Sequence, residues 1–134
     1  MSILSLDVAL IFSCHETVMK SGLAELLSVD ATKLLLRGKE YPSDATINHW
    51  AIESPLGKHE RLIEKHVEAL AGMITIKDYG ALLRMVAYGM YLRAQSVIDI
   101  PIGSIWFGKE ELHKLVQLIP DISIQTVFDI DCEA

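Results

Sequence analysis

The sequence predicts an α+β domain, with helices packed on one face of a mostly antiparallel sheet in the order β-α-β-β-α-(α)-β-β-α-β. Two patterns and one set of totals predict it. Apolar residues alternate at both ends of the chain, through Leu4, Leu6, Val8, Leu10 and Phe12 near the start and Ile122, Ile124, Thr126, Phe128 and Ile130 near the finish. A period of two marks a strand with one buried face. Between them, Leu56, Ile63, Val67, Leu70 and Ile74 recur at helical spacing. The totals set the class: 134 residues make one domain spanning 1–134, and 51% hydrophobic with 22% charged residues excludes a disordered, collagen-like or coiled-coil chain. A chain of this length buries roughly two-thirds of its unfolded surface, so a core needs neither disulfide nor metal.

The elements follow in order. Ser13 and Glu16 have capping-box spacing, which predicts a helix running to Val29 with Val18, Met19, Leu23, Leu26 and Leu27 inward. Strands are expected over 32–38 and 49–54, separated by a Pro, Ser and Asp loop over 39–46. Trp50 and Ile52 share a face in the second of these, with Trp50 plugging the core. Ser54 followed by Pro55 is a helix-start pair, opening the longest helix over 56–73. A short helix over 75–83 contains Gly80, and Val86, Tyr88, Met90 and Leu92 then alternate as a strand. A turn or bulge over 98–103 leads to a short strand over 104–107. The helix over 109–119 turns Leu112, Leu115, Val116 and Ile119 inward until Pro120 and Asp121 stop it.

Charge limits the partners. Twelve Lys and Arg stand against 18 Asp and Glu, a formal net charge of −6. A nucleic-acid binder needs a basic face, and the only basic cluster is Lys33, Arg37 and Lys39. No nucleic-acid partner is expected; an acidic surface suits a basic protein instead. After Lys114 the chain carries no Lys or Arg, but it does carry Asp121, Asp129, Asp131 and Glu133. That acidic end is the first candidate partner site. Glu60, Glu64 and Glu68 at i, i+4 and i+8 are the second, diluted by Lys58, Arg61 and Lys65. Tyr41, in a loop, is the candidate aromatic anchor. No apolar run approaches the ~20 residues that cross a bilayer, and Met1 to Asp7 has neither a basic stretch nor a cleavage site. With two cysteines, Cys14 and Cys132, the expected location is the cytoplasm.

Each candidate for chemistry has a plainer reading. His59 and His66 lie seven apart, without the spacing of a zinc site, and His66 reads as a half-buried structural histidine. His15 and His113 read as solvated. Cys14 follows a strand and opens the expected helix, where a dipole lowers a thiol's pKa, but its neighbour His15 points about 100° away. Asp129 and Asp131 share a strand face and suit a cation only with further oxygens. Ser13, Ser54 and Ser104 lack the Gly-x-Ser-x-Gly elbow. Arg37-Gly38-Lys39 is a strand-ending turn rather than a phosphate loop. No cofactor, no metal and no turnover are expected.

The landmarks together resemble a bacterial family of domains of unknown function. It includes immunity proteins of polymorphic toxin and contact-dependent inhibition systems. The matching features are the N-terminal strand and helix, Arg37-Gly38-Lys39, the strand end from Trp50 to Ser54 and the long helix. They continue with Gly103 to Phe107 running into Lys109 to Leu112, and the strand over 122–129. Arg37, Gly38 and Trp50 match as scaffold residues, and the stretch 76–100 departs most. The resemblance implies a cytoplasmic inhibitor, monomeric or weakly dimeric when free, that binds a cognate toxin such as a basic nuclease domain. The alternative is a homodimeric scaffold or regulatory module. The third reading is a small enzyme using Cys14 or the Asp129/Asp131 pair.

Overall fold

The N-terminal alternation becomes the central strand of the sheet. The computed structural model describes residues 3–37, 47–98 and 109–130. The chain runs β1 (Ile3–His15), α1 (Lys20–Leu27), a 3-10 turn (Ala31–Lys33), β2 (Leu34–Arg37), β3 (Ile47–Glu53), α2 (Ile63–Met73), α3 (Tyr79–Met85), β4 (Val86–Ile98), α4 (Lys109–Leu118) and β5 (Ser123–Ile130). The strands stand in the order β2-β3-β1-β4-β5. β1 is antiparallel to β3 and β4, and β2 is antiparallel to β3. β5 is parallel to β4, an arrangement that requires a crossover connection, and α4 lies within it. The architecture is the expected α+β one.

Burial explains why every helix lies on the same side. Leu6, Val8, Leu10, Phe12 and Cys14 of β1 share one buried cluster with Leu23 and Leu27 of α1, Val67 and Leu70 of α2, Leu82 of α3 and Leu115 of α4. Each fully buried side chain of this size contributes about 1.5–3 kcal/mol, so the sheet face and the helix stripes hold each other. The opposite face carries a small cluster of Ala9, Ile11 and Ala51 with Tyr91 against it. Ser13 and His49 are buried there too.

Element boundaries differ from expectation for local reasons. β1 continues to His15 because Ser13 and Cys14 pair with β3, so the capping-box spacing is not used as a cap. α1 starts only at Lys20 and closes at Ser28, which adopts a left-handed conformation with φ 56°. The helix expected from residue 56 begins at Ile63. Ser54 Oγ does accept the Leu56 N–H at 3.3 Å. Gly57 then turns to φ +77°, a conformation that ends helical propagation and that glycine adopts without a Cβ clash. α3 starts four residues later than expected, where the Asp78 carboxylate accepts the Ala81 N–H at 3.1 Å. Gly89, at φ +115°, supplies the irregularity where the β1–β4 register slips between Ser13 and Cys14.

Several packing expectations are corrected. Met19, Leu56 and Val116, expected inward, are exposed. Trp50 packs against the core but is half-buried rather than enclosed, since its β2 neighbour is Leu36, 61% exposed at the sheet edge. Ile124 and Thr126 of β5, expected inward, are exposed because β5 is itself an edge strand. The loop over 39–46 and the short strand over 104–107 fall outside the described residues.

Candidate functional site

Where β3 ends, the chain from 54 to 62 takes over the edge of β1. The Ser54 N–H donates to the Val8 carbonyl at 2.8 Å, and the Leu6 N–H donates to the Lys58 carbonyl at 2.8 Å. This strap, β1 and α2 enclose a cleft of about 200 Å³ lined by Asp7, Glu53, Ser54, Gly57, Lys58 and His66.

His66 sits at the back of the cleft, fully buried, with both ring nitrogens engaged. Nε2 lies 2.6 Å from the Glu60 carbonyl oxygen and Nδ1 lies 2.6 Å from Ser54 Oγ. A carbonyl only accepts, so Nε2 carries the proton, and in the neutral ring Nδ1 accepts from the Ser54 hydroxyl. Ser54 is therefore donor to His66 and acceptor from Leu56. Burial of an imidazole is tolerated because each nitrogen has a partner. The Glu60 carboxylate also works at this junction, accepting the Leu62 N–H at 3.2 Å just before α2.

A second arrangement reaches the cleft from β2. Arg37 Nη2 donates to Glu53 Oε1 at 2.7 Å. Arg37 stands opposite His49 in the β2–β3 register and Leu35 opposite Ala51, so the two long side chains meet along the strand across the Ala51 position. The stem of Arg37 thereby helps cover the face opposite the helices. Ser13 Oγ and His49 Nδ1, 2.9 Å apart, form a buried pair on the same face.

The residues singled out from sequence separate. Glu60 lies on the strap, with its carboxylate turned to Leu62 and, at 3.9 Å, to Lys65; the expected three-glutamate stripe reduces to Glu64 and Glu68 on α2. Asp121 is exposed in the turn after α4, where its carboxylate accepts the Tyr79 hydroxyl at 2.7 Å. Burial and that hydrogen bond raise the Tyr79 pKa above the ordinary phenol value. Asp129 takes the register position opposite Val97. Tyr41, Asp131 and Glu133 lie outside the described residues. Cys14 is buried in the strand, not at a helix start, and desolvation pushes its thiol up to about 12. A helix dipole does not activate it. Among the described residues, no group of three His, Cys, Asp or Glu comes together to hold a metal, and no helix is long and apolar enough to cross a membrane.

The Ser54–His66 pair is not legible in the sequence, since its members stand 12 residues apart, outside both an elbow motif and the spacing of one helix face. The signal that points to it is the Ser-Pro start followed so soon by Gly57, whose φ of +77° interrupts a helix there. No family model matches the chain, and neither the curated proteins nor the solved structures yield a match.

Proposed function

We propose that the chain is an inhibitor of the immunity type, which binds a basic toxin domain one-to-one in the cytoplasm and acts by occupancy rather than turnover. The observation that carries the reading is the excess of acidic charge and its exposure. The formal net charge is −6, with 18 Asp and Glu against 12 Lys and Arg, and Arg37–Glu53 and Lys65–Glu60 are ion pairs among the described residues. Asp7, Glu16, Glu25, Glu68 and Glu110 are exposed. Such a field raises the encounter rate with a basic partner and disfavours acidic ones. Glu68 borders the groove between α2 and α4, whose walls include Ala71, Gly72, Lys114 and Leu118, and Glu64 lies one turn earlier on α2. With Asp121, they are the described part of the surface we assign to the partner. Asp129, Asp131 and Glu133 extend it in sequence, and Tyr41, outside the described residues, stays the aromatic anchor expected from the sequence. Co-expression with the products of the adjacent genes, followed by size-exclusion with light scattering, tests the reading. A one-to-one complex and an inactive toxin are expected; a toxin that stays active and elutes alone contradicts it.

One observation favours a second reading, self-association. β2 is an edge strand with Leu35 44% and Leu36 61% exposed, on opposite faces. Unblunted apolar edges invite strand pairing. A free chain of twice 14.9 kDa that Leu36→Lys returns to monomer would select it.

A further inference from the structure

Ser54 and His66 lie apart from the acidic surface on α2 and are not needed for inhibition by occupancy. We propose that Ser54 is an activated nucleophile that takes an acyl group from small esters, with His66 as its base. Three observations carry this. The Glu60 carbonyl, 2.6 Å from Nε2, fixes the imidazole proton there and leaves the Nδ1 lone pair facing Ser54 Oγ at 2.6 Å. That is the relation of nucleophile, base and orienting group, with a main-chain carbonyl in the orienting role. Ser54 also lines the cleft, so an electrophile reaches Oγ from the open side while His66 remains enclosed behind it.

In the step, an Oγ lone pair forms a bond to the ester carbonyl carbon and the carbonyl π pair moves onto its oxygen. The hydroxyl proton passes to His66 Nδ1. Collapse of the tetrahedral adduct restores the carbonyl and breaks the bond to the leaving alcohol, which departs with the proton returned by the imidazolium. Acyl-Ser54 remains. Asp7 and Glu53 line the same cleft. Lys58 lines it as well, and Glu53 is paired with Arg37, which leaves the cleft close to neutral, so the class is small uncharged esters. The volume of about 200 Å³ restricts the acyl group to a short one.

The test uses a neutral fluorophosphonate probe on the intact chain, read by intact mass and peptide mapping. There the Oγ–P bond replaces the P–F bond, fluoride leaves and His66 takes the proton. One adduct per chain, mapped to Ser54 and absent from Ser54→Ala, is expected. His66→Gln keeps a donor for the Glu60 carbonyl but loses the base, and should label at least ~100-fold more slowly. A chain that stays unmodified at probe concentrations labelling a known serine esterase overturns the proposal, as do adducts on other serines with Ser54 bare. Circular dichroism checks that both variants fold; if either does not, the map of the unaltered protein decides alone.

Discussion

Ser13 and Cys14 are adjacent in β1 and meet opposite environments. Cys14 turns under the helices, into a cluster made of hydrocarbon, and its thiol is pushed up to about 12 by desolvation. Ser13 turns to the other face, where its hydroxyl lies 2.9 Å from His49 Nδ1. One face of the sheet is closed by burying apolar stripes from four helices. The other is closed by a smaller cluster around Ala9, Ile11 and Ala51 and by polar groups, among them the buried Ser13–His49 pair. Burial of the first kind is non-directional. Burial of the second kind holds only while each hydrogen bond is made. The two faces should therefore respond differently to the same kinds of change.

The largest difference is expected from truncation. Phe12→Ala, on the helix face, should cost ~3–5 kcal/mol in denaturant unfolding, whereas Ile11→Ala, in the smaller cluster, should lie near the lower end of the ~2–5 kcal/mol range for aliphatic truncation. Equal losses would break the comparison. Alkaline pH is the next probe. Because the folded-state pKa of Cys14 is raised, the folded chain holds a proton that the unfolded chain releases. The stabilising contribution is complete below the unfolded value and is lost as pH rises towards about 12. Unfolding free energy should fall by roughly 1.4 kcal/mol per pH unit in that window, and Cys14→Ala should remove this component. A slope that Cys14→Ala leaves untouched would mean the thiol is not in a dry layer.

Smaller effects report on the polar face. Ser13→Ala deprives His49 of its hydroxyl partner and should cost ~1–3 kcal/mol by the same unfolding assay. No loss would show that the pair contributes nothing to closing that face. Arg37→Ala removes a partly exposed ion pair and should cost only about 0.2–1 kcal/mol. A much larger loss would mean that its stem, rather than its charge, holds the face closed.

What the sequence made legible follows the same division. The alternation of β1 and the inward stripe of α2 are dominated by apolar burial, which leaves a period readable without neighbours. Local polar signals misled where tertiary pairing overrode them. Ser13 has the spacing of a cap but is spent on a strand and on His49, while Ser54 has the look of a helix start but is spent on His66. The candidate site was less legible still. His66 was expected to be half-buried and structural, and its partners are a serine 12 residues earlier and a strap carbonyl six residues earlier. The Arg37–Glu53 contact joins two landmarks recognised separately in the sequence, a relation that only the β2–β3 register reveals.

The excess of exposed carboxylates should steer a basic partner to this chain. Association rates with the toxin domain, measured from low to moderate salt, test it most directly. Lysine reversals at Glu64 and Glu68, and in a second variant at Asp129 and Asp131, should slow association and flatten its salt dependence in at least one variant while melting is retained. Rates and salt dependence identical to the unaltered chain in both variants would contradict the claim.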